Sequence, residues 1–171
     1  INSLVDEDVI KALYKASGAG VKIDLIVRGI CCLKPGIKDV SENIRVVSIL
    51  GKYLEHARAF YFKNDESQVY ISSADWMPRN LMRRIELLTA IKDKTSKDKI
   101  IQILNLQCAD DSLAHELQSD GSYIKIKDES AKTINNHKLL EDYVNKIVKA
   151  TTKETASSIE ELASRIFMEN E

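Results

Sequence analysis

Residues 21–27 constrain the fold most strongly, because apolar side chains occupy most positions of this stretch. The apolar residues are Val21, Ile23, Leu25, Ile26 and Val27. Apolar residues crowded together in this way are typical of buried strands in α/β proteins whose sheets are covered on both sides. Acidic and apolar residues at helical spacing precede it, and Gly18 and Gly20 can end that helix. The stretch therefore predicts a helix followed by a buried strand.

Further strand and helix patterns follow along the chain. Strands are predicted over residues 44–49, 57–63, 68–73, 84–91 and 122–127, with a hairpin through residues 64–67. Helices are predicted at Pro78, over residues 96–107 and 112–118, and over residues 136–171, where Ser158 and Glu161 form a capping box. Because the strands concentrate in the middle and the helices at both ends, the pattern predicts an α/β or α+β sandwich.

Composition narrows the function classes. The chain has 171 residues, of which 44% are hydrophobic and 30% charged, so it can form one packed domain or one domain with a tail. The net charge of −1 argues against a general nucleic-acid binder with a basic surface. Lys and Arg nevertheless outnumber Asp and Glu between residues 21 and 91. We therefore expect an anion site in this part of the chain.

The cysteines and the apolar runs indicate the environment. Cys31, Cys32 and Cys108 lack the Cys-x-x-Cys spacing of zinc sites, and an odd count does not fit a disulfide framework. We therefore expect the protein to be found in a reducing cytoplasm. No apolar run approaches the roughly 20 residues needed to span a bilayer. The first residue is Ile1 rather than Met, which leads us to expect further sequence upstream.

His56 and Arg58 are the first candidate site residues. Side chains alternate along a strand, so these two residues, at the start of the strand predicted around residues 57–63, are expected on one face. A guanidinium binds phosphate with a fork of N–H groups, and an imidazole can donate, accept or attack. The alternative is a surface histidine that pairs with Glu55 or with a backbone carbonyl.

Arg28 and two serines are further candidates. Arg28 follows the buried strand and precedes Gly29, and ligands bind at the carboxyl ends of such strands. Ser72 and Ser73 can offer hydroxyl and backbone N–H groups to an anion. Positive charge is added nearby by Arg79, Arg83 and Arg84. The alternatives are a solvated loop arginine and a serine-rich turn beside a solvated basic face.

Other signals indicate no site. Residues 18–20 (Gly-Ala-Gly) lie between a helix and a strand, the reverse of the order in a dinucleotide fingerprint. His115 and His137 fall in polar stretches predicted to be helical, and we expect both to be exposed to solvent. Cys31 and Cys32 are expected to be partly buried loop residues. No metal-ligand spacing occurs, so no metal site is expected in this chain.

Four segments of the chain form an ordered set of motifs. They are residues 27–36 (Val-Arg-Gly-Ile-Cys-Cys-Leu-Lys-Pro-Gly), 41–46 (Ser-Glu-Asn-Ile-Arg-Val), 54–58 (Leu-Glu-His-Ala-Arg) and 73–80 (Ser-Ala-Asp-Trp-Met-Pro-Arg-Asn). Together they resemble signatures of the large, histidine-phosphorylated type of bacterial polyphosphate kinase, and the resemblance runs from Ile1 to about Lys127. It implies a phospholipase-D-like α/β fold, a mixed sheet flanked by helices, over residues 1–135. Residues 136–171 would then be a helical C-terminal extension.

The resemblance also implies a function. Enzymes of this type reversibly transfer the terminal phosphate of ATP to polyphosphate, and the chain is similar to the last of their four domains. A phosphohistidine forms in the neighbouring catalytic domain, which also holds Mg²⁺. Arg28 and His56 match family residues that contact the nucleotide phosphates, and His56 would be catalytic. We expect Arg58, Ser72 and Ser73 to complete the anion pocket.

The same resemblance suggests substrates and partners. ATP or ADP and polyphosphate are the expected substrates, and the preceding domains of the same chain are the expected partners. The full-length enzyme is expected to be a homo-oligomer that binds no nucleic acid and is cytoplasmic or peripheral at the inner membrane. We expect the isolated fragment to have no kinase activity.

Two alternative functions stay open. His56-x-Arg58 is similar to the His-x-Lys of phospholipase-D proteins, which would make a phosphodiesterase with His56 as nucleophile. Lys63 stands where the diesterase motif has aspartate, and this weighs against diester hydrolysis. The other alternative is a non-catalytic phosphate-binding or assembly module, in which the helices after Asn136 are a partner surface.

Overall fold

The computed structural model describes residues 1–65, 68–126, 133–149 and 151. In chain order, the elements are α1 (Glu7–Gly18), β1 (Ile23–Ile26), β2 (Ile44–Ile49), β3 (Ala59–Tyr61), β4 (Val69–Ser72), α2 (Pro78–Arg83), β5 (Leu88–Ala90), α3 (Lys94–Cys108), β6 (Ala114–Leu117) and β7 (Tyr123–Lys125). Residues 136–149 are also helical. The chain divides into two compact units between Asn135 and Asn136. The function of each unit stays a prediction, and the capping box of Ser158 and Glu161 lies outside the described residues.

A four-stranded mixed sheet carries the main core. Its order is β1-β2-β6-β7, with β1 parallel to β2 and the other two pairs antiparallel. The buried core residues are Leu4, Leu25, Val27, Leu33, Ile44, Val46 and Leu117. Apolar residues of α1 pack against them, and the Asp6 carboxylate caps this helix by accepting from the N–H of Val9 at 3.1 Å. The predicted α/β fold with a helix-flanked mixed sheet is confirmed.

A second sheet has three antiparallel strands in the order β3-β4-β5. Phe60 lies opposite Tyr70, and Tyr70 lies opposite Ala90. The hairpin between β3 and β4 was predicted, although residues 66 and 67 of its turn lie outside the described residues. The strand pattern alone did not indicate that these strands form a sheet of their own.

The first six residues join two distant parts of the chain. Leu4 forms parallel bridges with both Cys31 and Trp76. Its N–H donates to the carbonyl of Ile30 at 2.8 Å, and the N–H of Trp76 donates to the carbonyl of Ser3 at 3.1 Å. Residues 1–6 therefore connect the segment after β1 to the segment after β4.

The helix predicted over residues 112–118 is wrong, because β6 occupies this stretch. One carboxylate oxygen of Asp110 accepts hydrogen bonds from the N–H groups of Ser112, Leu113 and Ala114. Side chains that bond nearby backbone in this way compete with helix formation. Pairing with β2 and β7 then satisfies the backbone of the strand.

Other expectations need correction at their boundaries or in their exposure. β3 begins at Ala59, so His56 and Arg58 precede the strand instead of alternating along it. β5 covers only Leu88–Ala90 of the predicted 84–91. His115 is half-buried in β6 and His137 is 4% exposed, so neither is the solvated helical residue that was expected. Among the described residues, no helix is long and apolar enough to cross a membrane.

Candidate anion-binding site

A polar cleft of about 370 Å³ lies beside the second sheet. The lining residues are Asn2, His56, Arg58, Ser73, Asp75, Arg79, Asn80, Arg84 and Glu86. They come from residues 1–6, from the segment before β3, from the end of β4, and from α2 with the loop that follows it. Three guanidinium groups and one imidazole therefore share one cleft with two carboxylates, which makes it a candidate site for an anion.

Asp75, which is buried, forms an ion pair in this cleft with Arg58, which is half-buried. The Nε of Arg58 donates to Oδ1 of Asp75 at 3.1 Å, and Nη2 donates to Oδ2 at 2.7 Å. Burial alone would raise the pKa of Asp75, but the hydrogen bonds from Arg58 and Asn2, together with the Arg58 charge, lower it to about 2. The carboxylate is therefore ionised, and it fixes the plane of the guanidinium.

His56 is exposed, and Arg58 holds its backbone. The third nitrogen of the Arg58 guanidinium, Nη1, donates to the carbonyl of His56 at 3.1 Å. Residues 54–58 have no regular secondary structure. His56 and Arg58 both line the cleft, but this hydrogen bond, and not strand alternation, holds the guanidinium against the backbone of His56.

Arg28 lies two residues beyond β1, is half-buried and does not line the cleft. Its N–H donates to the carbonyl of Ile1 at 3.2 Å, and its own carbonyl accepts from the Ser48 hydroxyl at 3.1 Å. Its Nη1 is buried and has no hydrogen-bond partner among the described residues. Buried donors are rarely left in this state, so Nη1 is available to an acceptor outside the described residues.

Gly29 permits the close approach that connects Arg28 with the cleft. Its N–H donates to the carbonyl of Asn2 at 2.8 Å. A Cβ at position 29 would lie 2.9 Å from the same carbonyl oxygen, closer than real side chains approach. A glycine is needed after Arg28 because the backbone of residues 1–6 approaches closely at this position.

The hydroxyl groups of Ser72 and Ser73 are already bonded. Ser72 Oγ donates to the carbonyl of Leu87 at 2.9 Å and accepts from the N–H of Ala74 at 3.0 Å. Ser73 Oγ donates to the Glu86 carboxylate and accepts from the N–H of Leu87 at 3.0 Å. Of the two serines, only Ser73 lines the cleft. These hydroxyls hold the end of β4 against the segment that leads into β5.

Glu86 organises the other wall of the cleft. Its carboxylate accepts from Nδ2 of Asn80 at 2.7 Å and lies 3.7 Å from Nε of Arg84. The hydrogen bond from Ser73 and then that from Asn80 lower the pKa of Glu86. Sequence reasoning missed Glu86 and Asn2, whose place in the cleft no local pattern indicates. Asp75 and Asn80 lie within the motif at residues 73–80, which was the one available signal.

The cleft does not fit a metal ion. Both carboxylates are already bonded, Asp75 to Arg58 and Glu86 to Ser73 and Asn80. The part of the chain that the structure describes contains no group of three or more His, Cys, Asp or Glu side chains placed to hold a metal. The described residues of the cleft therefore offer no site for the Mg²⁺ that the family resemblance implies.

A second, aromatic cleft lies on the β3-β4-β5 sheet. It has a volume of about 490 Å³ and is lined by Phe60, Phe62, Asp65, Tyr70, Trp76 and Leu88. The rings of Phe60 and Trp76 stack with centroids 5.1 Å apart. The hydroxyl of Tyr70 donates to Asp65 at 2.5 Å. Because no cationic side chain among the described residues lines it, this cleft is a poor candidate for phosphate.

Comparisons with known proteins agree with the motifs. A family model described as "Polyphosphate kinase C-terminal domain 2" matches residues 1–138. A polyphosphate kinase of Campylobacter jejuni subsp. doylei is 59% identical over 171 residues, which is 99% of this chain and 24% of that protein. A polyphosphate kinase of Synechocystis is 56% identical over 126 residues, which is 73% of this chain and 17% of that protein.

A solved structure shares the fold. The crystal structure of polyphosphate kinase from Porphyromonas gingivalis superposes with a TM-score of 0.82 at 42% sequence identity. The match covers 88% of this chain and 23% of that chain. The chain thus spans about a quarter of the length of the relatives that it matches.

Proposed function

Because the chain belongs to the polyphosphate kinase family, whose C-terminal domain model covers residues 1–138, we propose that it supplies one wall of a nucleotide-phosphate site. In this proposal the full-length enzyme transfers the terminal phosphate of ATP reversibly to polyphosphate. Within this chain, His56 is the catalytic residue and Arg28 binds phosphate. Mg²⁺ and the phosphohistidine belong to the preceding domain.

The observation that carries the proposal is the charge balance of the polar cleft. Asp75 is paired with Arg58, and Glu86 lies near Arg84. Two further lining residues, Arg79 and His56, have no carboxylate partner among the described residues. The cleft therefore keeps unpaired N–H donors of positive or neutral character, which suits a phosphate group and not a cation.

The candidate residues contribute unequally. His56 is exposed at the cleft, and its ring can donate a proton to the leaving oxygen or a hydrogen bond to the transferred group. The buried, unpartnered Nη1 of Arg28 supports a phosphate contact by this residue. Arg58 and Ser73 also line the cleft, but their polar groups already bond Asp75 and Glu86. Ser72 has the weakest support, because it does not line the cleft.

Phosphoryl transfer needs positioning and charge stabilisation more than covalent chemistry from the protein. Preorganised N–H donors at the transferred phosphate stabilise charge as it moves from the leaving to the attacking oxygen. Removal of one such donor typically lowers the rate by about 10²–10³-fold. His56 and Arg28 are the two donors that we assign to this step.

The full-length enzyme provides the test. We expect His56→Ala and Arg28→Gln each to lower the initial rate of ATP-dependent polyphosphate synthesis by about 10²–10³-fold. The matched control is Lys99→Gln, which removes a positive charge at an exposed position of α3 that does not line the cleft. Circular dichroism melting curves establish that all three variants fold. Wild-type synthesis by folded His56→Ala and Arg28→Gln would refute the proposal.

The remaining expectations are proposals that rest on family membership. They are ATP or ADP and polyphosphate as substrates, a homo-oligomeric full-length enzyme, a cytoplasmic or inner-membrane-peripheral location, and no activity of the fragment alone. ATP-dependent polyphosphate formation by the purified fragment would contradict the last of these. Residues 1–135 are proposed as the phospholipase-D-like domain and 136–171 as a helical extension. The end of the family match at residue 138 supports this division.

A phosphodiesterase has less support. Lys63, which stands where the diesterase motif has aspartate, is exposed and does not line the cleft. The described residues thus offer no substitute for that aspartate at this position. Turnover of a chromogenic phosphodiester by the full-length protein would revive this alternative.

A further inference from the structure

We propose that Asp75 is a positioning residue, whose carboxylate sets the placement of Arg28 relative to His56. This inference rests on the proposed function, since it assigns these two residues to one phosphate site. Asp75 is 2% exposed, and its carboxylate accepts hydrogen bonds from other residues of this chain. Its carboxylate accepts from two groups of donors, the guanidinium of Arg58 and the N–H groups of Asn2 and Ser3. We infer the positioning role from these two groups.

One group of donors leads from Asp75 to His56. Nε and Nη2 of Arg58 bond the two oxygens of Asp75, and Nη1 bonds the carbonyl of His56. On the other side of His56, the carboxylate of Glu55 accepts from Nε2 of Gln107 at 2.9 Å. Because residues 54–58 lie outside any strand or helix, these side-chain bonds fix the backbone that carries the imidazole.

The other group leads from Asp75 to Arg28. Oδ1 of Asp75 accepts from the N–H of Asn2 at 2.8 Å and from the N–H of Ser3 at 3.2 Å. The carbonyls of Ile1 and Asn2 accept in turn from the N–H groups of Arg28 and Gly29. The backbone of residues 1–3 thus lies between the carboxylate and Arg28.

The hydrogen-bond inventory of Arg58 supports this assignment. A guanidinium has five N–H donors in a fixed plane, and three of them are used by Asp75 and His56. At most two donors are left for an anion. Arg58 therefore acts mainly by linking the Asp75 carboxylate to the backbone of His56. The sequence alone indicated that Arg58 would bind phosphate directly.

Asp75 also accepts from both sides with the same atom. Oδ1 bonds Arg58 Nε on one side and the N–H groups of residues 2 and 3 on the other. A displacement of this atom moves both partners. Since misplacement of a catalytic group by about 1 Å can cost about 10²-fold in rate, the carboxylate is expected to matter for turnover beyond its effect on stability.

The test is Asp75→Asn in the full-length enzyme. The amide keeps the shape of the side chain, but its NH₂ group is a donor and would face the N–H donors of Arg58 or of the backbone. The hydrogen bonds on that side would therefore be lost. We expect kcat per folded enzyme to fall about 10²-fold, with a much smaller change in KM for ATP. The matched control is Asp24→Asn, which removes a carboxylate 3.8 Å from another arginine, Arg45, outside the cleft. Wild-type kcat in folded Asp75→Asn would overturn the proposal.

A double-variant cycle separates positioning from general stabilisation. If Asp75 acts through Arg58, then Asp75→Asn combined with Arg58→Lys should be no slower than the slower single variant. Effects that multiply would contradict the proposal. Arg58→Lys also serves if Asp75→Asn does not fold, because lysine keeps the charge but cannot bond Asp75 and His56 in one plane. A folded Arg58→Lys enzyme with wild-type kcat would overturn the proposal as well.

Failure of the positioning role of Asp75 can be distinguished from failure of the proposed phosphate site. If His56→Ala and Arg28→Gln stay active, the phosphate site itself is misassigned. If they lose activity while folded Asp75→Asn keeps it, the site stands and only the positioning role of Asp75 fails.

Discussion

Asp75 accepts two hydrogen bonds from the guanidinium of Arg58, at 3.1 and 2.7 Å, with only 3% of its side chain exposed. The pair neutralises both groups inside a cleft that also contains His56 and Arg79. Burial of an ion pair is stabilising only when the geometry is good and the remaining polar atoms are bonded. Here the backbone N–H groups of Asn2 and Ser3 satisfy the carboxylate further.

The acid stability of the protein should depend on Asp75. Burial opposes ionisation, but the bonds from Arg58 and Asn2 outweigh it and lower the pKa from 3.8 to about 2. The unfolded state therefore binds the proton more readily, and stability rises with pH across this window. We expect the contribution of Asp75 to be complete above about pH 5 and lost as the pH falls toward about 2, a change of about 2 kcal/mol.

Urea unfolding at several pH values measures this contribution. The free energy of unfolding of the wild type should fall more steeply below about pH 4 than that of Asp75→Asn, which has no proton to gain there. Parallel curves for the two proteins would show that Asp75 has an ordinary pKa in the folded state.

Gly29→Ala should destabilise the protein by about 1–3 kcal/mol, the usual cost of forcing extra atoms into a filled space. The added methyl would meet the carbonyl oxygen of Asn2 at 2.9 Å, and backbone cannot yield as a flexible side chain does. Gly18→Ala is the control, since nothing lies within 4 Å of a Cβ there. Denaturation midpoints compare the two, and equal midpoints would contradict the close approach.

Ser73→Ala should affect stability more than activity. The hydroxyl donates to Glu86 and accepts from the N–H of Leu87, and because both bonds are exposed to solvent, their loss should cost about 0.5–1.5 kcal/mol. Ser119→Ala, at an exposed position, is the control. Thermal melting of the full-length variants measures the effect on stability, and initial rates measure the effect on activity. A large loss of rate in a variant with an unchanged melting temperature would instead assign Ser73 to phosphate binding.

Asp110→Ala should weaken the start of β6. The carboxylate accepts from three successive N–H groups, and loss of hydrogen bonds to a charged acceptor typically costs about 1.5–3 kcal/mol. Amide hydrogen exchange at Leu113 and Ala114 should become faster in the variant. Unchanged exchange at these two positions would show that strand pairing alone holds the segment.

The sequence predicted the parts of the fold that local patterns determine. β2 was predicted with the bounds observed, Ile44–Ile49, because β-branched apolar residues at positions 44, 46, 47 and 49 are typical of a strand. α2 begins at Pro78, where proline fits the first helical turn. The helix predicted over residues 112–118 was wrong because the strand there depends on hydrogen bonds to Asp110 and on pairing with β2 and β7. Sequence periodicity does not reveal such contacts.

The site was predictable only in part, for the same reason. The motifs led to His56, Arg58 and Ser73, which all line the cleft. Asn2 lies 73 residues from Asp75 along the chain, so their hydrogen bond could not be inferred from spacing. The partners that fix the candidate residues come from distant segments, and only the folded chain brings them together.

The most direct measurement is a crystal structure of the full-length enzyme with a non-hydrolysable ATP analogue. We expect the Arg28 guanidinium and the His56 imidazole both to lie within hydrogen-bonding distance, about 3 Å, of the same triphosphate. A triphosphate bound in the enzyme with neither side chain in contact would contradict it.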